Sequence, residues 1–124
     1  MLQPVVIDGI RTPIGKLNGA MKDIQPEEIA AFLLQKICER SHLDIRLLDA
    51  VILGQAKQSS DQPNIARLAA LMTKFPLEVQ AYTVHRQCGS GMQAVQNAAQ
   101  EIMCGYADFV LAGGISARHG GAMQ

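Results

Sequence analysis

The stretch Val84-His-Arg-Gln-Cys-Gly-Ser-Gly-Met-Gln-Ala-Val95 decides how this chain is read. A short β-rich run, Val79-Gln-Ala-Tyr-Thr-Val84, feeds into it, and a small-residue helix from near Cys88 to about Cys104 leads out. Cys88 is therefore expected where a strand hands over to a helix N-terminus. Unpaired backbone N–H groups and the positive end of the helix dipole favour an anion at such a place. A thiol there loses its proton more easily and becomes a better nucleophile. The same N–H groups can donate to an oxyanion when a thioester carbonyl is attacked. Gly89 and Gly91 lack a Cβ, which lets an acyl group or substrate backbone come close. The chemistry points to Cys88 as a nucleophile for acyl transfer, with backbone support at Gly89 and Gly91. A lone cysteine in an apolar chain is more often an inert core residue, and that reading stands beside the first. Spacing identifies no general base. His85 lies on the strand side, and sequence does not decide its face relative to the thiol.

The composition narrows the classes. At 124 residues the chain is long enough for one domain with a modest core. Eleven basic and eleven acidic residues balance, so nothing favours nucleic acid or a membrane surface as a partner. No apolar run approaches the roughly 20 residues needed to span a bilayer. The start, Met1-Leu-Gln-Pro-Val-Val-Ile-Asp8, has an early acid and no basic segment, unlike a secretory signal. Three cysteines without metal-type spacing argue for reduced thiols, a cytoplasmic protein and no metal site.

Taken in order, Pro4-Val-Val-Ile-Asp-Gly-Ile10 reads as a first strand, and its near-continuous hydrophobicity predicts burial on both faces. Residues 11 to 24, with Pro13, Gly15 and Gly19, read as a loop. Arg11 is expected to be a surface or interface ion-pair residue. Pro26-Glu-Glu28 opens a first helix, since proline suits the first turn and the carboxylates complement the dipole. Ile29, Leu33 and Ile37, with Ala30, Leu34 and Cys38, make its buried stripe. His42, Asp44 and Arg46 fall in a solvated turn. Ala50 to Gly54 is a second strand, followed by a polar loop from Gln55 to Asn64. Ile65 to Met72 is a second helix capped by Asn64, with Arg67 structural. Val79 to Val84 is a third strand. In the helix after Cys88, the residues Met92, Val95, Ala99, Ile102 and Met103 define one apolar face, and its few charges predict a central, buried helix. Gly105 ends it, and Cys104 is expected in the core. Phe109 to Gly114 is a fourth strand whose glycines let neighbouring backbone approach. This βαβαβαβ order means an α/β domain with a mostly parallel sheet.

Several of these segments together carry a resemblance. Arg86-Gln-Cys-Gly-Ser-Gly-Met-Gln-Ala94 resembles the active-cysteine signature of the thiolase family, the acetyl-CoA acetyltransferases and 3-ketoacyl-CoA thiolases. Ile10-Arg-Thr-Pro-Ile-Gly15 with Gly19, Leu53-Gly54, Gln62 to Leu71 and Ala112-Gly-Gly114 resemble further family segments in the family's order. The resemblance implies a thiolase-like N-terminal half over residues 1–114, with an atypical and flexible tail over 115–124. It implies reversible Claisen condensation or thiolysis of 3-ketoacyl-CoA through an acyl group held on Cys88. It implies a CoA thioester as substrate with no bound cofactor, and a homo-oligomer formed through strand 79–84, whose open edge needs protection. Two departures accompany it. His85 stands where the family generally has a small polar residue. After Gly114 the chain reads Ile115-Ser-Ala-Arg-His-Gly-Gly-Ala-Met-Gln124, where the family continues with Glu and a Met-Ser pair. The family's second half supplies an activating histidine and a second, acid/base cysteine, and His119 does not match that histidine's surroundings. The isolated chain is therefore expected to be nearly inactive. The alternatives are another condensing enzyme of the same fold, distinguished by a preference for acyl carrier protein, and a non-catalytic half-domain acting through dimerisation or a partner chain.

Overall fold

The computed structural model describes residues 2–14, 19, 23–58, 60 and 63–116. Its organising element is the strand β1, Ala50–Gly54, which is buried along its whole length. Five consecutive apolar or small residues suit a strand covered on both faces. β1 pairs in parallel with β2 (Gln80–Val84) on one side and with β3 (Val110–Gly114) on the other. The sheet order is β2-β1-β3, in a register that aligns Gly54 with both Val84 and Gly114. Alternate side chains of β1 then serve different layers. Val51 and Leu53 pack with α1 (Pro26–Ser41) and α2 (Ile65–Leu71) in the larger core, together with Leu34, Cys38, Ile65 and Phe75. Ile52 packs on the opposite face with Ala94 and Ala98 of α3 (Ser90–Met103). Helices thus cover both faces of a parallel sheet, the expected α/β class.

The first predicted strand is not formed. Residues 4 to 10 form no regular element, and Val5, Val6 and Ile7 are 73%, 85% and 72% exposed. Both sides of β1 are already occupied by β2 and β3, so the central slot that would bury such a run is filled. Apolar propensity marks a segment able to pair, but pairing also needs cross-strand packing that residue type does not supply. The run is held instead through Asp8, whose carboxylate takes a 2.9 Å ion pair from Arg40.

α1 begins as expected, with Pro26 in its first turn and Glu27 and Glu28 beside it. Of its apolar stripe, Ala30, Leu34 and Cys38 are buried, while Ile29, Leu33 and Ile37 are half-buried at the margin. Burial pushes the Cys38 thiol up from its ordinary value, with the neighbouring Glu39 charge acting the same way. This fits a packing role.

The start of α2 is tied to β2 by one side chain. Asn64 Oδ1 accepts from the Arg67 N–H at 3.2 Å and from the Thr83 hydroxyl at 2.8 Å, and its Nδ2 donates to the Ala81 carbonyl at 3.2 Å. Thr83 Oγ1 in turn accepts from the Ala66 N–H at 3.1 Å. Arg67 donates to the Val79 carbonyl at 3.0 Å, a structural role as expected. Asn64→Ala removes three hydrogen bonds at once, the helix cap among them. It is expected to cost about 2 kcal/mol, read as a lower urea midpoint at unchanged slope.

α3 turns a different face to the sheet from the one the pattern predicted. Its buried residues are Ser90, Ala94 and Ala98, whereas Met92 is 64% and Val95 39% exposed. Ile102 and Met103 are half-buried. The small side lets the helix axis lie close on the strands, and the large residues are left on the outer side. The helix ends at a left-handed Gly105 (φ 81°), where Tyr106 N–H bonds the Glu101 carbonyl and Gly105 N–H bonds that of Ile102. This is a Schellman ending. Cys104, expected in the core, is exposed at this cap. Ile115 continues past β3, donating its N–H to the Gly54 carbonyl at 2.9 Å and packing on the larger core. The expectations for Gly15, Gln62, His119 and the tail beyond Ser116 lie outside the described residues.

Candidate active site

The carboxyl ends of the three strands and the first turn of α3 meet at a cluster of glycines. A Cβ placed on Gly54 would lie 2.2 Å from the carbonyl carbon and oxygen of Ser90 and 2.6 Å from the Gly91 nitrogen. A Cβ on Gly114 would lie 3.0 Å from the Gly91 Cα. Backbone therefore touches backbone here, and only glycine fits at Gly54. The close approach expected of the last strand's glycines is realised at Gly114, with Gly91 as its partner. Gly91 thus has a packing role beyond the one that sequence reasoning gave it.

This seat holds the turn that carries Cys88. Gly89 N–H donates to the Arg86 carbonyl at 2.9 Å and Ser90 N–H to the Gln87 carbonyl at 3.2 Å. Gln87 is forced into the left-handed region, φ 47°, which costs energy for a residue with a side chain. Ser90 Oγ, on a residue only 3% exposed, accepts from the Arg86 N–H at 2.7 Å and donates to the Gln87 carbonyl at 2.7 Å. The helix begins at Ser90 with Gly89 as its cap residue, so Cys88 stands just before the helix rather than within it. Cys88 is exposed and unpaired by any disulfide, which removes the inert-core reading. A sharp strand-to-helix turn with one strained residue, presenting a nucleophile above the sheet, is a recurrent catalytic arrangement.

Cys88 and Gly89 lie in the turn before α3, and Gly91 lies in the first turn of the helix itself. Two amides that a helix terminus could offer to an oxyanion, those of Gly89 and Ser90, are already engaged inside it. His85 is exposed, and its Nδ1 accepts from the Gln87 N–H at 3.2 Å, so it too braces the turn. Gln87, Ser90 and Gly54 were missed as site residues. The serine lay in plain view in the quoted stretch, but its two hydrogen bonds depend on a left-handed Gln87 that residue types do not announce. Arg11 is exposed, and its guanidinium donates to the adjacent Thr12 carbonyl.

A polar row runs from the turn along the β2 side of α3. Arg86 donates to Gln93 Oε1, Gln93 Nε2 donates to Asn97 Oδ1 at 2.7 Å, and Tyr82 OH donates to Glu101 Oε2 at 2.6 Å. Burial pushes the Tyr82 phenol up from its ordinary 10.0; its bond to the Glu101 carboxylate adds to the rise and Asn97 opposes it. A phenol raised by folding favours the native state at every pH below 10 and loses that contribution as pH climbs through its raised value. Stability is therefore expected to decline above pH 10 in the parent chain. Tyr82→Phe should flatten that decline in urea melts at stepped pH.

A concavity of about 510 Å³ lies at the other end of the strands, lined by Arg46, Asp49, Glu78, Gln80, Glu101 and Tyr106 among others. It does not include Cys88. Ligands of open α/β sheets bind beyond the carboxyl ends of the strands, so the turn and not this concavity is the candidate site. Among the described residues no group of three or more Cys, His, Asp or Glu is arranged to hold a metal.

Residues 4–117 match the family model described as "Thiolase, N-terminal domain". The chain belongs to the thiolase family. It is 40% identical over 117 residues to the 3-oxoadipyl-CoA/3-oxo-5,6-dehydrosuberyl-CoA thiolase of Escherichia coli, an alignment covering 93% of this chain and 29% of that protein. It is 41% identical over 118 residues to the 3-ketoacyl-CoA thiolase of Pectobacterium carotovorum, covering 93% and 30%. Among solved structures it is similar to the acetyl-CoA acetyltransferase of Bacillus anthracis, with a TM-score of 0.82 and 41% identity over 91% of this chain and 29% of that one. The chain thus spans less than a third of the length of these thiolases. Its three-stranded parallel sheet and flanking helices are the thiolase-like fold. Among the described residues no helix is long and apolar enough to cross a membrane.

Proposed function

We propose that this chain carries the acyl-accepting half of a thiolase site, with Cys88 as its nucleophile. The Cys88 thiolate attacks the carbonyl of a CoA thioester or 3-ketoacyl-CoA. The tetrahedral oxyanion collapses and expels CoA thiolate, or the acetyl-CoA enolate in thiolysis, leaving an acyl-cysteine. CoA or a second acetyl-CoA enolate then takes the acyl group, so the overall reaction is reversible Claisen condensation. Backbone at Gly89 and Gly91 supports the turn and the approach of the acyl group. The observation that carries this reading is an exposed thiol on a strained turn at the carboxyl end of the sheet.

Turnover by these 124 residues alone is expected to be slight, because groups that act as a unit lose far more than their additive share when one is missing. The protein is read as cytoplasmic. Homodimerisation through strand 79–84 is favoured by one feature: β2 is an edge strand with one open side. That edge and the outward Met92 and Val95 also favour the second reading, a half-domain that works by docking a partner.

The test is intact mass after incubation with acetyl-CoA or acetoacetyl-CoA. An acetyl adduct that disappears in Cys88→Ala supports the thiolase reading. An unmodified chain whose thiol still alkylates freely favours the docking half-domain.

A further inference from the structure

We propose that Ser90 is the positioning residue for the Cys88 nucleophile, acting as a hydroxyl clamp that fixes the turn on which the thiol stands. The inference rests on the reading of Cys88 as the reacting group. The clamp is a small closed circuit. Ser90 Oγ takes the Arg86 N–H and gives its proton to the Gln87 carbonyl, both at 2.7 Å. It therefore joins the residue before the left-handed Gln87 to Gln87 itself. Gln87 at φ 47° is the residue the backbone would most readily relax, since an ordinary side chain prefers negative φ. Without the hydroxyl, the Arg86 N–H loses its acceptor and the Gln87 carbonyl keeps one bond, from the Ser90 N–H. Cys88 follows directly, so any rotation at Gln87 swings the thiol.

The clamp is itself immobilised. Ser90 is 3% exposed, and its carbonyl rests against Gly54, where a Cβ would come within 2.2 Å. A buried hydroxyl that both accepts and donates within one tight turn has its proton and a lone pair engaged, so turning it away breaks both bonds. Strain at Gln87 is thus held by a bond pair anchored on the central strand, in the way strained backbone persists only where its surroundings over-determine it.

The chain carries its own reference thiol. Cys104 is exposed like Cys88 but stands at the far end of α3. The experiment measures the rate of Cys88 modification relative to Cys104, by peptide mass, with iodoacetamide and with acetyl-CoA. It is run on the parent, Ser90→Ala and Ser90→Thr at temperatures where each is fully folded by circular dichroism. Hydrogen exchange of the Arg86 amide reports the clamp independently. The expected result is a Cys88 to Cys104 ratio that falls about tenfold in Ser90→Ala, faster exchange at Arg86, and recovery of both in Ser90→Thr, which restores the hydroxyl. If Arg86 exchange accelerates while the ratio stays at the parent value, the hydroxyl is merely structural and the positioning role is overturned. If Arg86 exchange does not change in Ser90→Ala, the clamp itself is overturned. Equal rates at the two cysteines in the parent overturn the nucleophile reading on which the clamp depends, and that failure is visible before any variant is made.

Discussion

Gly54→Ala is expected to lower stability by about 3 kcal/mol or more, at the upper end of what overpacking costs. The added Cβ would sit 2.2 Å from the carbonyl carbon and oxygen of Ser90, and both are backbone atoms. No side-chain rotation relieves such a contact. The first turn of α3 must lift from the sheet, which opens the packing of Ala94 and Ala98 on Ile52 and pulls on the Cys88 turn. Gly113→Ala is the matched control, because its Cβ would meet only the Leu53 Cδ2 at 3.8 Å, an ordinary contact. Urea midpoints should fall steeply in Gly54→Ala and by less than about 1 kcal/mol equivalent in Gly113→Ala. Equal midpoints for the two variants would mean that the glycine seat does not hold the helix.

Cys88→Ala is expected to have the opposite profile: complete loss of acyl-adduct formation with stability within about 0.5 kcal/mol of the parent, as for an exposed residue away from special packing. An alanine offers no nucleophile, so the loss is of kind and not degree. Cys88→Ser keeps the shape but supplies a hydroxyl that is a far weaker nucleophile at neutral pH, and it should also fail to accumulate adduct. Cys38→Ser provides the contrast. It places a hydroxyl among Leu34, Val51 and Ile65 in the larger core and should destabilise by about 1–3 kcal/mol while leaving adduct formation intact. A stable adduct on Cys88→Ala would assign the chemistry to another side chain.

Residue pattern carried the reader far along this chain, and the places where it stopped have physical causes. The strand 50–54 was legible because a fully buried parallel strand is apolar without interruption, and the Asn64 cap and Gly105 ending were legible because each meets a local backbone need. The run 4–10 was misread because its apolar residues are as suited to a strand as those of 50–54; whether they pair depends on cross-strand contacts that residue type does not announce. α3 was misread in its facing, since hydrophobicity alone favours burying Met92 and Val95, while close packing against glycine-rich strand ends selects Ala94 and Ala98 instead. Cys104 shares residue type and apolar context with Cys38, and only the position of the helix ending separates an exposed thiol from a buried one. At the site, Cys88 and its glycines were legible from the strand-to-helix motif. Of the parts that hold them, the left-handed Gln87 and the Ser90 hydroxyl bonds are local but turn on a backbone conformation that residue types do not announce, and the seat at Gly54 joins segments far apart in sequence.

The most direct measurement is a time course of acetylation by acetyl-CoA, mapped by peptide mass to each of Cys38, Cys88 and Cys104 in the parent chain. The expected result is acetyl accumulating on Cys88 well before Cys104, which is also exposed, with buried Cys38 unmodified. Acetylation of Cys88 and Cys104 at the same rate would mean that the turn confers no special reactivity, and would contradict the assignment of Cys88 as the acyl-carrying nucleophile.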